Sequence, residues 1–344
     1  MDPVKNPFVP GAGSPPPELA GRAPLLEQAR VAVARVKERP AKSLILVGLR
    51  GVGKTVLLVR IREIAESNGY KAVMVEAHEG KSLPALLVPS LRQTLFSLDT
   101  VAGAAEKAKR GLRVLRSFVS GLKLSVGEID IGLSIEPERG SADSGDLEAD
   151  LGELFIAVGE AGKAAHTAIA ICIDELQYLS EQEFSALIMA IHKTNQAQLP
   201  VIVVGAGLPQ ILGLAGESKS YSERLFDYPR VGALDEPDAK AALEAPVATQ
   251  GVSFTLAALD EILRGTEGYP YFLQQWGHEA WNIAKASPID LDVIKLASEA
   301  AIKTLDQGFF RVRFDRCTPS EKRYLLHWQI WGLARSARVK LPKS

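Results

Sequence analysis

Residues 43–55 read Ser43-Leu-Ile-Leu-Val-Gly48-Leu-Arg-Gly-Val-Gly-Lys54-Thr55, and this stretch decides the fold. Ser43–Val47 is a short continuous apolar run, the mark of a strand buried on both faces. Gly48–Thr55 has the spacing G-x-x-x-x-G-K-[ST], and a helical pattern runs from about Lys54 to Asn68, where Gly69 stops it. A strand, a glycine-rich turn and a helix in that order make a phosphate cradle. Glycines let the turn aim its backbone N–H groups inward, and the helix N-terminus adds positive potential. Gly48, Leu49, Arg50, Gly51, Val52, Gly53, Lys54, Thr55 and Val56 are the candidate nucleotide contacts. Lys54 offers a point charge to β- and γ-phosphates, and the Thr55 hydroxyl is placed to ligate Mg²⁺. The plainer alternative is a glycine-rich turn with a surface lysine, and the flanking strand and helix speak against it.

Outward from this turn, Ala72–Val75, Ala168–Ile173 and Val201–Val204 are further strand-length apolar runs. Helical patterns lie between them, near 85–98, 146–164 and 181–198. Buried strands alternating with helices predict a three-layer α/β fold with a mostly parallel sheet. A helix is expected upstream within 18–39, with Leu25, Leu26, Ala29, Val33 and Val36 near one face and Pro40 ending it. Residues 1–17 carry six prolines and are expected to be extended or disordered. After Pro229 the strands stop, and helices are expected near 235–249, 255–264, 270–286 and 290–306. Asp235 and Asp290 suit N-caps, and Pro270 suits a first turn. Residues 233–306 thus read as a small helical domain, with Phe272, Leu273, Trp276 and Trp281 at core spacing.

Asp174-Glu175 follows the strand Ala168–Ile173 directly. Carboxylates at the C-terminal edge of a buried strand face the crevice where open α/β sheets bind ligands. Asp174 is the candidate Mg²⁺ ligand, and Glu175 the group that orients or deprotonates an attacking water. Taken alone, the pair equally suits a helix cap; the upstream phosphate turn favours the catalytic reading. An N-K-x-D string is absent, which argues against a GTPase, and an L-S-G-G-Q string is absent, which argues against a transporter-type ATPase. An adjacent glutamate points to an ATP hydrolase with its own base.

Composition excludes other classes. Lys+Arg is 40 and Asp+Glu 41, a net charge of −1, so a strongly basic nucleic-acid binder is excluded, although a local patch is not. Cys172 and Cys317 cannot build a disulfide framework or a four-cysteine zinc site. No apolar run approaches the roughly 20 residues that span a bilayer, so the expectation is a cytoplasmic protein without a membrane contact.

Two charged regions stand apart. Residues 101–123 hold six Lys/Arg against one Glu, and 124–160 hold ten Asp/Glu against one Arg. Within this insertion, about 101–145, the alternation of Leu122, Leu124 and Val126 slips by one at Gly127-Glu128 and resumes at Ile129, Ile131, Leu133 and Ile135. That pattern predicts a hairpin over 122–135, packed on this chain's own core or docking a protein partner. Residues 303–344 hold ten Lys/Arg against three Asp/Glu, a solvated basic tail or a weak contact for DNA phosphates. Thr318-Pro-Ser-Glu321 is a capping-box pattern that opens a last helix.

Residues 18–285 resemble an AAA+ P-loop ATPase domain of the origin-recognition-like and STAND-like branch. The resemblance rests on Glu18-Leu-Ala-Gly21-Arg22-Ala-Pro-Leu-Leu-Glu27, Gly48–Thr55, Ile171–Glu175, Tyr221-Ser-Glu-Arg224-Leu-Phe226 and Gly268-Tyr-Pro270-Tyr-Phe-Leu273, in that order. It implies an ATP and Mg²⁺ site with Gly21 and Arg22 near the adenine, Pro270 in a helical lid over 233–306, and Lys54 and Glu175 in the catalytic set. It also implies Arg224 as an arginine finger reaching a neighbouring subunit in a homo-oligomer. Arg22 equally suits a carboxylate partner, Arg224 an ordinary surface position, and Gly268 with Pro270 a simple helix cap. A winged helix often follows such a lid, and Phe314–Trp328 is a candidate first helix of one; residues 307–344 are short for the whole. Two departures bear on hydrolysis. The fourth strand runs into Gly205-Ala-Gly207-Leu-Pro209 with no polar side chain, and the lid helix lacks an arginine, leaving Gln274 or Gln275 as substitutes.

Overall fold

The computed structural model describes residues 1–11, 19–122, 135–218 and 222–326. They fall into two compact units, one built from Pro10–Ala242 with Gly268–Tyr271, the other from Met1–Val9, Leu243–Glu267 and Phe272 onward.

In the larger unit the chain runs α1 (Ala23–Val36), β1 (Ser43–Val47), α2 (Lys54–Ser67), β2 (Lys71–Glu76), α3 (Leu83–Asp99), α4 (Ala105–Gly121), α5 (Leu147–Ala164) and β3 (Ile169–Asp174). It continues through α6 (Glu181–Gln196), β4 (Val201–Gly207), α7 (Ile211–Ser218), α8 (Ser222–Leu225), β5 (Phe226–Asp227) and α9 (Glu236–Ala248), which crosses into the smaller unit. The described strands form one parallel sheet in the order β2-β3-β4-β1-β5. Side chains alternate between its faces. Leu44, Leu46, Ala170, Cys172, Ile202 and Val204 pack on α1 and α2 through Val33, Leu57, Leu58 and Ile61. Ile45, Val47, Ile171, Ile173, Val201 and Val203 pack on the opposite layer through Leu87, Leu91, Phe155, Phe184 and Leu187. Both faces are covered, which is why the strands read as unbroken apolar runs. The three-layer architecture is the one the sequence predicts.

Three local differences have physical reasons. The sequence carries no sign of β5, because a two-residue strand has no alternation to display. α1 begins at Ala23, not near 18, because Gly21 sits at φ +68 and Pro24 occupies the first turn. The charge segregation of 101–160 resolves into ion pairs between neighbouring segments. Lys107 and Arg110 on α4 meet Glu160 on α5 at 3.0 and 2.9 Å, and Arg110 meets Glu138 at 2.9 Å. The hairpin expected over 122–135 lies almost wholly outside the described residues; its ends, Leu122 and Ile135, pack on the core.

The smaller unit holds α10 (Leu256–Thr266), most of α11 (Pro270–Ile283), α12 (Leu291–Leu305), a π-helical turn at Asp306–Phe310 and α13 (Arg311–Arg316). Thr255 and Asp290 cap α10 and α12 by accepting from Ala258 N and Val293 N. Leu273, Trp276 and Trp281 are buried core, as their spacing predicts. The capping box at Thr318 and Glu321 forms, and residues 319–326 are helical. Phe314 belongs to α13, which ends before that box, so the expected helix Phe314–Trp328 does not start there. Residues 327–344, the last part of the basic tail, lie outside the described residues.

The expectation that residues 1–17 are extended or disordered is corrected for residues 1–11. Pro3–Lys5 is a 3₁₀ turn capped by Asp2. Phe8 is 1% exposed and lies against Gly277, where a Cβ would stand 2.6 Å from its ring. Asn6 Nδ2 donates to His278 O at 3.0 Å, and Trp281 Nε1 to Asp2 O at 2.8 Å. Composition suggested disorder, but one aromatic ring with a glycine seat anchors the segment. Phe8→Ala is expected to lower the stability of this unit by about 3 kcal/mol. Urea unfolding measures this, and an unchanged midpoint would show the segment to be dispensable.

Candidate functional site

β1 ends at Val47, and the next residue must be glycine. A Cβ on Gly48 would stand 2.1 Å from Val231 O, in the backbone held beside β1 by Val231 N donating to Val47 O at 2.8 Å. The turn then passes through Gly51 at φ +85 and Gly53 at φ +92, conformations that side chains rarely adopt. Gly53 is the N-cap of α2, so Lys54 and Thr55 open that helix where its N–H groups are unpaired.

Lys54 is buried at 6% exposure, and its Nζ donates to Leu49 O at 2.9 Å, back across the turn. Burial foremost pulls its ammonium below the usual lysine value; the Glu175 and Asp174 carboxylates oppose that shift. Thr55 Oγ1 donates to Asp174 Oδ2 at 2.6 Å, although the two residues are 119 positions apart. Asp174 ends β3 on the face occupied by Cys172, the face that packs on α2, and this parity brings its carboxylate to Thr55. Burial foremost raises the Asp174 carboxyl above the ordinary aspartate value, against the Thr55 hydrogen bond.

Glu175 has a left-handed backbone at φ 54, an unfavourable position for a residue with a Cβ. Its N–H donates to Asp174 Oδ1 at 2.8 Å. The turn that follows, Leu176–Tyr178, adds three residues for which the sequence has no periodic signal. Gln177 Nε2 donates to Glu175 Oε2, and Gln177 Oε1 accepts from Leu208 N at 3.0 Å. Arg50 in the glycine-rich turn donates to Tyr178 Oη at 2.9 Å. Tyr269 Oη donates to Arg50 O, and Tyr271 N to Gly51 O at 3.2 Å.

Tyr269 and Tyr271, which flank Pro270 at the start of α11, therefore lie against the glycine-rich turn. Arg22 also comes to the turn, while Gly21 lies against Asp238, where a Cβ would stand 2.5 Å from Oδ2. Arg22 donates to Val52 O at 3.3 Å and to Gly232 O at 2.5 Å, tying the turn to the strand-side loop. Burial lowers the Arg22 guanidinium from its usual value, and Asp238 opposes this. Arg224 is not brought in. It is exposed on α8, ahead of β5, and Phe226 pairs with Ser43 at the start of β1, the opposite edge of the sheet from Gly48. Gln275 is buried and donates to Glu279 at 2.8 Å.

One hydroxyl and one carboxylate in contact suit Mg²⁺, which keeps several waters and takes few protein ligands. Among the described residues no group of three or more His, Cys, Asp or Glu converges as a protein-only metal cage. No helix among them is long and apolar enough to cross a membrane.

Comparison with curated proteins found no match. Solved structures with similar folds include the Aeropyrum pernix ORC1 protein in complex with DNA, at 16% identity and a TM-score of 0.48, covering 83% of this chain and 66% of that one. The Pyrococcus abyssi Walker-type ATPase matches at 17% identity and a TM-score of 0.49, covering 84% of this chain and 75% of that one. The Thermotoga maritima RuvB Holliday junction branch migration motor matches at 15% identity and 0.45, covering 82% and 70%. The chain thus spans slightly less than two thirds of the ORC1 chain's length. A family model described as AAA ATPase domain matches residues 18–204, more than half of the sequence, from ahead of α1 into β4. The nucleotide-binding fold, its glycine-rich turn and this match agree: the chain belongs to the AAA ATPase domain family.

Proposed function

We propose that this chain is an Mg²⁺-dependent ATPase whose turnover drives or switches a conformational change. The observation that carries the reading is the contact of Thr55 and Asp174 at 2.6 Å beside the buried Lys54 ammonium. Backbone N–H groups of the glycine-rich turn and the start of α2 bind the phosphates, and Lys54 turns from Leu49 O to their oxygens. Thr55 and Asp174 would hold Mg²⁺, which when bound neutralises charge on the phosphate oxygens. Glu175 takes a proton from water as the water oxygen bonds to the γ-phosphorus. The bond from that phosphorus to the bridging oxygen breaks, and ADP leaves with inorganic phosphate. Arg22, bonded to Val52 O, borders the site, and Gly21 is proposed to stand near the adenine beside it. ATP is preferred over GTP on the absence of an N-K-x-D string. Phosphate release from MgATP and from MgGTP tests the reading, and no release from either removes it.

A second reading, slow turnover in which bound ATP sets how a protein or DNA partner is engaged, is favoured by the end of β4. Gly205-Ala-Gly207-Leu offers no polar side chain to the site. Purified protein that retains ATP without releasing phosphate would support it. The exposed Arg224, at the far edge of the sheet from this chain's own Gly48, would serve a neighbouring copy's nucleotide if it acts as a finger, and turnover per chain that rises with protein concentration supports that role over an ordinary surface position. The two cysteines are free thiols, which suits the reducing cytoplasm, and burial pushes the Cys172 thiol up to about 12.

Asp174 also gives a pH prediction. Its carboxyl is raised by burial, so the folded chain holds that proton more tightly than the unfolded chain. Ionising it therefore lowers stability as pH rises from the unfolded-chain value through the folded-chain value, and above the latter the penalty is complete. Asp174→Asn, without nucleotide or Mg²⁺, is expected to raise Tm at pH 7.5. The difference should vanish in acid, where the carboxyl is protonated in both states. A lower Tm at pH 7.5 would contradict the burial argument.

A further inference from the structure

We infer that Gln177 is a positioning residue that holds the Glu175 carboxylate through the end of β4. The inference rests on the ATPase reading above and names a part that the acid pair and the phosphate turn do not contain.

The geometry comes from two elements meeting at the C-terminal edge of the sheet. Asp174 ends β3, and Glu175 reverses the chain with its left-handed backbone. That reversal throws Leu176 and Gln177 across the end of the neighbouring strand β4. β4 seats Leu176 at Gly205. A Cβ on Gly205 would stand 2.3 Å from Leu176 Cδ1, and one on Gly207 would stand 3.4 Å from both Gln177 Oε1 and Leu176 Cβ. Leu176 is fully buried in this seat, so the turn is fixed by packing.

Gln177 then uses both ends of its amide. Its oxygen accepts from Leu208 N at 3.0 Å, and its NH₂ donates to Glu175 Oε2. An amide whose oxygen is held by a backbone N–H has its NH₂ group fixed on the other side. The Glu175 side chain has rotamer freedom of its own, and the Gln177 donor selects among its positions. The end of β4, Gly205-Ala-Gly207, brings no polar side chain of its own, and Gln177 delivers that strand's influence to the carboxylate instead. Gly205, which reads in the sequence as the loss of a polar group, is the space that seats Leu176 and so fixes the turn that carries Gln177.

The test is phosphate release from MgATP at saturation and below it, by the full chain and four variants: Gln177→Ala, Gln177→Met, Glu175→Gln, and Gln177→Met with Glu175→Gln. Met keeps the volume of Gln and removes both hydrogen bonds, which separates positioning from packing. Gln177→Ala and Gln177→Met are expected to lower kcat by about 10- to 100-fold, with nucleotide affinity and Tm near those of the parent. On the Glu175→Gln background, Gln177→Met should change nothing further, because residues that act as one unit are not additive. Gln177→Met with unchanged kcat, while Glu175→Gln is slow, overturns the positioning role and leaves the ATPase reading intact. An equal loss on both backgrounds overturns it too, since the effect would not pass through Glu175. Parent chain no faster than Glu175→Gln overturns both.

Discussion

Lys54→Ala is expected to bind MgATP about 100-fold more weakly than the parent chain, a difference of about 2.8 kcal/mol. The side chain is the only charge that the glycine-rich turn aims across itself, and it does so from a buried position, so solvent and salt screen it little. Hydrogen bonds from a charged donor to phosphate oxygens are the stronger class, and no neighbour replaces this one. Arg50 is the nearest candidate, and its guanidinium is engaged by Tyr178. A thermal shift reads the effect directly. ATP at about 100 times its Kd stabilises the parent by about 2.7 kcal/mol; after a 100-fold loss, the same concentration supplies about 0.4 kcal/mol. An undiminished shift in the variant would take the phosphate out of this turn, and with it the reading of the whole site.

Glu175→Gln should leave ATP binding close to that of the parent and cut phosphate release by about 10²- to 10⁴-fold, the range for loss of a positioned general base. The substitution keeps length and shape, and the backbone N–H that donates to Asp174 Oδ1 is untouched. What changes is one proton acceptor. Glu175 is also held at a positive φ, a conformation that a residue with a Cβ adopts at a cost of about 1 kcal/mol or more. Glu175→Gly should therefore stabilise the turn while abolishing turnover. Single-turnover phosphate release with saturating Mg²⁺ separates chemistry from product release. Equal rates for Glu175→Gln and the parent would assign the proton transfer elsewhere.

Much of the scaffold was legible because it follows from period and punctuation. Ser43–Val47 is an unbroken apolar run since both faces of β1 are covered, and α2 starts at Lys54 because the glycine turn ends there. Asp290 and Thr318 cap helices by a side-chain bond within four residues, a local event that a local pattern can announce. Phe8 went the other way. A segment of prolines reads as loose, and its order depends on Gly277, distant in sequence, leaving room for a ring. The segregated charges of 101–160 read as separate patches and are in fact partners, Arg110 with Glu138 and Glu160.

By itself, the order of residues determined the layered α/β scaffold, the phosphate turn and the acids Asp174 and Glu175, since each depends on neighbours a few positions away. Only the tertiary structure decided that Thr55 touches Asp174, that Arg22 and Tyr269 brace the turn, that Arg224 stands at the opposite edge, and that Gln177 reaches Glu175 and Leu208 together. Those relations depend on strand order and on which face a side chain takes, and parallel strands joined by crossovers place in contact residues that no local pattern connects.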